Sequence, residues 1–368
     1  MKLEQKLFFP GQYIQGYGLI DRLPEIMGKY SNKMMALVAD GFVDQLTEVM
    51  KSSHDEINDS DRMVEVFTGE CTFAEVDRVH KLAVDNGIGV LAGVGGGKAL
   101  DCAKLVADRM DIPVIIVPTI ASTDAPCTGN AVVYDEAGVV VDFIKQKEHP
   151  KAVIVDTEII AQAPIRFLVA GMGDALSTGY EANSVALSGA KTYHGGKMTE
   201  TGLALARLAT EIILKHGRQA KKDCEAGQVT PELEKVIEAN ILLSGIGFES
   251  TNIATAHSIH NALTQIPRTK KYQHGEKVAF GVLVGLHLNG ADKSEMEKVY
   301  SFSKDVGLPV TFAEIGLADT TDDELRIISE DACGEYSFIF NEPVEITVDK
   351  VQAALLAADK MGREFIRN

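Results

Sequence analysis

Apolar residues along this chain follow two rhythms. From Met34 to Asp156, short unbroken apolar runs alternate with stretches whose apolar residues recur at helical spacing. That alternation predicts parallel strands joined by crossover helices. Strands are expected over Met34–Ala39, Met63–Phe67, Ile88–Ala92, Val114–Val117 and Ala152–Asp156, and helices over Gly41–Lys51, Phe73–Asn86 and Lys98–Met110. Ala131–Tyr134 and Val139–Phe143, joined by Asp135-Glu136-Ala137-Gly138, read as a β-hairpin. After Pro164 long amphipathic patterns take over, at Phe167–Leu187, Thr199–His216, Pro231–Glu249, Gly275–Leu288 and Val348–Phe365. Strand signals almost vanish there. The pattern predicts an α/β unit over residues 1–162 and an all-helical unit over 163–368, with the boundary near Ala161–Pro164. Neither part carries an internal repeat or a low-complexity segment.

Composition narrows the class. A length of 368 residues suits two domains. Lys and Arg total 36 against 53 Asp and Glu, a net charge of −17, which argues against nucleic acid or an anionic membrane as a partner. The 45% hydrophobic and 24% charged content is that of a globular protein and excludes disorder. Trp is absent and aromatics make up 6%, so a stacking platform for single strands is not expected. The five cysteines are odd in number and scattered, with no CxxC, which reads as a reduced, cytoplasmic protein. The opening MKLEQKLFFPGQYIQG lacks the apolar core of a signal peptide. No uncharged apolar run approaches the ~18 residues of a membrane span. Ile112–Thr119, with Pro113 and Pro118, reads as a buried strand instead.

Three loops carry candidate binding chemistry. Gly93-Val94-Gly95-Gly96-Gly97-Lys98 follows a strand and opens a helix. Glycines let a phosphate approach the backbone, and a helix N-terminus offers unpaired N–H groups and partial positive charge. The cluster fits neither GxGxxG, since Lys98 stands where the last glycine belongs, nor a P-loop, since Ala99 follows the lysine. Asp40 ends the first strand, where a carboxylate accepts hydrogen bonds from ribose hydroxyls and repels a 2′-phosphate, favouring NAD over NADP. An aspartate there is equally an ordinary helix N-cap. The third loop, Pro118 to Pro126, follows a buried strand and is rich in hydroxyls, with Thr119, Ser122 and Thr123.

A fourth constellation suggests a metal. His257 and His260 share a helix face, and His274 follows 17 residues after His257 across a Pro267-Arg268-Thr269 break. That spacing suits ligands from two successive helices. Asp174, behind Gly171 and Gly173, is a candidate third ligand. Two His and one carboxylate leave an open position on Zn²⁺ for a substrate oxygen, or form a facial triad for Fe²⁺. Core histidines bound to neighbours are the plainer reading of the same residues.

The ordered set GVGGGKALDCAK, VPTIASTDAPC, GMGDALST, GFEST, HSIHNALTQIP and HGEKVAFG runs through most of the chain. With it the sequence resembles the glycerol dehydrogenases of the metal-dependent, iron-containing type of alcohol dehydrogenase superfamily. The resemblance implies a dehydroquinate synthase-like fold, an α/β nucleotide domain followed by an all-α domain. It implies a metal, Zn²⁺ or alternatively Fe²⁺, on Asp174, His257 and His274. It places NAD on Asp40, Gly95, Gly96, Gly97, Lys98, Asp101, Thr119, Ser122, Thr128, Asn130 and Tyr134. Asp124 falls at the polyol-binding carboxylate, and Phe248 of GFEST joins Asp174, His257 and His274 around the substrate. Asp124 and His260, the latter as a proton relay, are the candidate catalytic groups. The implied activity is reversible oxidation of glycerol or another vicinal diol, in a homo-oligomer whose partner is a small polyol. Thr128-Gly129-Asn130-Ala131, Gly179-Tyr180 and Arg268 to Gln273 depart from the family pattern and leave the diol open. Alternatives are a dehydrogenase for another 1,2-diol or 2-hydroxy acid, or a dehydroquinate synthase-like lyase. The lyase would need basic residues such as Lys197, Arg268 and Lys270 for an anionic substrate.

Overall fold

The computed structural model describes residues 4–52 and 61–367. The chain divides into two compact units, one of Phe9–Ala121 and Ala125–Ala163, the other of Met1–Phe8, Ser122–Asp124 and Pro164–Asn368.

The first unit is a parallel sheet with crossover helices. Its elements are β1 (Tyr13–Gly16), α1 (Leu23–Gly28), β2 (Met34–Ala39), α2 (Val43–Ser52), β3 (Arg62–Phe67), α3 (Phe73–Asp85), β4 (Val90–Gly95), α4 (Gly97–Met110), β5 (Val114–Pro118), β6 (Asn130–Tyr134), β7 (Val140–Lys145), β8 (Ala152–Asp156) and α5 (Thr157–Gln162). The sheet order is β1-β8-β5-β4-β2-β3, all parallel, and β6 and β7 form a separate antiparallel hairpin. The central strands read as unbroken apolar runs because a parallel sheet is covered on both faces. β5 and β8 are buried throughout. One face packs Met34, Ala36, Val38, Val94, Val117 and Ile154 against Leu23, Met27, Leu46 and Met50 of α1 and α2.

The chain winds outward from β2 to β3, then returns to add β4 on the other side of β2. The β2/β4 border is therefore the switch point, where the loops after the strands part and leave room for a ligand. Asp40 follows β2 and the glycine cluster ends β4, so both lie at that border.

The structure extends β4 to Gly95, three residues past the expected end at Ala92. Gly93 belongs in the strand because a Cβ there would stand 2.7 Å from Ala103 Cβ of α4. The structure also adds β1, a half-buried four-residue edge strand that no apolar run marks.

The second unit is helical: α6 (Ile165–Ser188), α7 (Glu200–Glu225), α8 (Pro231–Glu238), α9 (Ser244–Ser250), α10 (Thr255–Leu263), α11 (His274–Leu288), α12 (Lys293–Val306), α13 (Asp322–Ala332) and α14 (Val348–Arg367). One π-turn, Ala239–Leu243, joins α8 to α9, so the predicted Pro231–Glu249 helix is continuous but not uniformly α. Among the described residues no helix is long and apolar enough to cross a membrane.

Candidate active site

In the helical unit, close helix packing gathers the histidines. A Cβ on Gly275 would stand 2.6 Å from the Ala170 carbonyl carbon of α6, nearer still to its oxygen, and 3.1 Å from Asp174 N. A Cβ on Gly281 would stand 2.8 Å from Ala256 Cα of α10. Without side chains at these two positions, α11 lies directly on the backbones of α6 and α10. His274, the first residue of α11, thereby comes 3.2 Å (Nε2) from Asp174 Oδ1, and His257 Nε2 lies 3.5 Å from the same oxygen. One ligand atom each from Asp174, His257 and His274 fall within 4.8 Å of one another.

The surroundings fix how these groups present themselves. Glu181, buried on α6, accepts from the N–H groups of Ala254 and His257 and meets His257 Nδ1 at 2.7 Å. Nδ1–H therefore donates to the carboxylate, and Nε2 is the nitrogen turned toward Asp174, the orientation a metal-binding histidine needs. His274 Nδ1 lies 3.0 Å from His260 Nε2, and His260 Nδ1 lies 3.0 Å from Asn261 Oδ1. Since the amide oxygen only accepts, the consistent arrangement runs Nδ1–H of His260 to Asn261 and Nδ1–H of His274 to His260. That again turns His274 Nε2 toward Asp174. His260 stands behind His274 in this chain of bonds.

Burial alone would raise the Asp174 pKa, but the imidazoles of His274 and His257 outweigh it and hold the carboxyl well below the usual range. Burial lowers the His257 pKa, and Glu181 with Asp174 overcomes it and pushes it well above the ordinary value. Two buried carboxylates and two imidazoles without a fixed lysine or arginine among them have the donor chemistry of a dication site. Asp124 N donates to Asp174 Oδ2 at 3.3 Å, which holds the Asp124 backbone at the same carboxylate. Phe248 stacks parallel to His257 with ring centroids 6.4 Å apart, and Tyr193 packs on Phe248 at 4.7 Å. His287 meets Tyr300 OH instead and is not part of the set.

The sheet unit carries the glycine turn. Gly96 caps α4 with backbone only, and a Cβ on Gly97 would meet nothing within 4 Å. The first N–H groups of a helix lack intrahelical partners, as a phosphate cradle requires, and Gly96 and Gly97 add no side chain over them. Thr119 N donates to Gly95 O at 3.0 Å, bringing the third loop beside the turn. Asp40 is exposed, begins a short 3₁₀ turn and makes no side-chain hydrogen bond among the described residues, so it is not acting as an N-cap. Lys98 pairs with Glu70 at 2.6 Å and lies over the Tyr134 ring at 4.8 Å.

Other candidates sit deeper. Asp101 is buried, with one oxygen on Lys104 Nζ at 3.3 Å and the other accepting from Val132 N at 3.1 Å. Its carboxylate braces the hairpin, and burial raises its pKa. Lys104, fully buried, also donates to the carbonyls of Ala125 and Asn130. It underpins the loop that carries Thr128 and Asn130. Thr128 Oγ1 is turned to Ala125 O at 3.1 Å, and Ser122 is buried. Glu181, Glu70 and Lys104 are residues around the candidate sites that sequence reasoning missed, because each meets a partner remote along the chain.

The sequence profile of the iron-containing alcohol dehydrogenases matches residues 10–157. A glycerol dehydrogenase of Thermotoga maritima is 46% identical over 357 residues, 96% of this chain and 97% of that one. A glycolaldehyde reductase of Halobacterium salinarum is 41% identical over 356 residues, again 96% and 97%. The crystal structure of a probable glycerol dehydrogenase from Sinorhizobium meliloti superposes with a TM-score of 0.91 at 41% identity, covering 98% of this chain and all of the other. With likeness at that level over both whole chains, the protein is an alcohol oxidoreductase. It belongs to the iron-containing alcohol dehydrogenase family, in the group of the glycerol dehydrogenases.

Proposed function

We propose that this enzyme oxidises glycerol to dihydroxyacetone reversibly, with NAD as hydride carrier and Zn²⁺ on Asp174, His257 and His274. The observation that carries the reading is the convergence of those three donors within 4.8 Å, each imidazole turned by a hydrogen bond behind it. The curated relatives named glycerol dehydrogenase support the substrate. When bound, the cation supplies Lewis acidity that lowers the pKa of a coordinated hydroxyl.

The chain's own residues do the rest. Glu181 and His260 hold the two imidazoles in the tautomer whose Nε2 faces Asp174. This geometry favours a positioning role for His260 over proton relay, because its partner is the far nitrogen of His274. Asp124 would accept a hydrogen bond from a further hydroxyl, and Phe248 would give the pocket an apolar wall. The α4 N-terminus would receive the pyrophosphate, and Asp40 would accept from the adenine-side ribose and disfavour a 2′-phosphate. The lyase alternative loses ground, since Arg268 is held at both guanidinium ends by Glu324 at 2.6 Å.

The test is NAD⁺ reduction with glycerol by native, chelated and zinc-restored protein, beside His274→Ala. The reading expects loss on chelation, recovery with zinc, and a His274→Ala protein that still binds NADH. Full turnover by metal-free protein would overturn it. A screen over 1,2-propanediol, 2,3-butanediol and 2-hydroxy acids ranks the substrates.

A further inference from the structure

Lys98 is the one cation within the glycine turn Gly93–Lys98, yet its charge is already committed. Its ammonium donates to Glu70 Oε2 at 2.6 Å and lies 4.8 Å from the Tyr134 ring centroid. The Glu70 loop is well anchored. Tyr134 N donates to Cys71 O at 2.9 Å, tying the loop to the hairpin strand β6. Thr72 N-caps α3 through Glu75 N, and Thr68 N donates to Glu75 Oε1 at 3.1 Å. Cys71 N donates to Glu70 Oε1 at 3.3 Å. The carboxylate is held beside Lys98 by the loop's own backbone and does not merely drift onto it.

We propose that Glu70 is a built-in counter-charge that weakens the grip of the glycine turn on the dinucleotide, so that the reduced cofactor leaves readily at each turnover. The role rests on the reading of this turn as the pyrophosphate cradle. A pyrophosphate carries two negative charges and meets at the turn a lysine whose field Glu70 largely cancels. Binding then leans on the N–H groups of α4, whose partial charge is smaller than a full cation. The electrostatic part of the affinity stays low and nearly independent of salt. Removing the Glu70 charge while keeping its shape unmasks Lys98.

Glu70→Gln preserves the oxygen that accepts from Cys71 N and deletes only the charge. Kd for NADH is read by nucleotide fluorescence on the full-length protein, at low and high ionic strength, for wild type, Glu70→Gln and Lys98→Met. The expected result is a Kd about threefold to tenfold lower in Glu70→Gln at low salt, a gain that shrinks as salt screens the charge. A merely structural role for Glu70 would not produce that salt dependence. An unchanged or raised Kd in Glu70→Gln at low salt overturns the counter-charge role. An unchanged Kd in Lys98→Met overturns instead the reading of Lys98 as facing the phosphates.

Discussion

Replacing Gly275 with alanine puts the helix packing beneath the proposed metal ligands to a quantitative test. The new methyl would stand 2.6 Å from the Ala170 carbonyl carbon. Carbon atoms pack at about 3.5 Å or more and the carbonyl oxygen is nearer still, so α6 and α11 must part by more than about 1 Å. Forced overpacking of this kind costs about 1–3 kcal/mol, partly offset by the ~1 kcal/mol that alanine gains over glycine within a helix. The larger effect falls on the ligands. Asp174 rides on α6 and His274 on α11, so the same displacement enters the 3.2 Å separation between them. A ligand set tolerates shifts of about 0.5 Å, so zinc affinity should fall by at least about tenfold. Competition against a chromogenic chelator measures it, with thermal melting alongside. Gly285→Ala on the same helix is the control, since its methyl would meet Thr255 Cβ at an ordinary 3.5 Å. If Gly275→Ala melts like wild type and holds zinc as tightly, the close-approach argument is wrong.

Three further outcomes are expected. Glu181→Gln keeps an acceptor for the Ala254 and His257 N–H groups but turns an amide toward His257 Nδ1, so the imidazole proton moves to Nε2. Zinc affinity should drop about 10–100-fold by chelator competition with little change in melting temperature. Lys104→Met leaves Asp101 buried without its cation and should cost about 3–5 kcal/mol in chemical denaturation, with Asp101→Asn in the same chain recovering part of it. Lys277, buried and with no side-chain hydrogen bond among the described residues, has its pKa lowered by burial from 10.5 to about 8. Between those values the unfolded chain binds more protons, so stability rises with pH through that window. Lys277→Met should abolish that rise and stabilise the protein at neutral pH by up to about 3 kcal/mol, as read from denaturation curves at pH 7 and pH 10.

The legible parts of the molecule are those whose signal is local. Val114 to Val117 and Ala152 to Val155 announce themselves because a strand buried on both faces reads as an unbroken apolar run. β1 gives no such signal, since Tyr13, Ile14, Gln15 and Gly16 are all half-exposed at the sheet's edge. The end of β4 misleads for a physical reason: glycine in a strand looks like a turn, while Gly93 is there to let α4 approach. The spacing of His257, His260 and His274 marks a helix pair, but which nitrogen of His257 faces Asp174 depends on Glu181, a residue of α6. The same holds for Glu70 beside Lys98 and for Lys104 under the hairpin loop. Hydrogen bonds between elements far apart in sequence leave no periodicity to read.

The edge position of β1 bears on how the chain assembles as it leaves the ribosome. Among the described residues Tyr13 to Gly16 pair only with Val153 to Asp156, so β1 must wait for β8. Residues before it wait longer still, since Gln5 forms its bridge with Lys197. Until β8 is made β5 presents an open flank and β1 has no partner, a long-range closure that is slow to form. A nascent chain stalled before Ala152 would expose a flat, apolar strand edge of the kind that recruits neighbours. Synthesis of this protein therefore carries an aggregation hazard in the interval between β5 and β8.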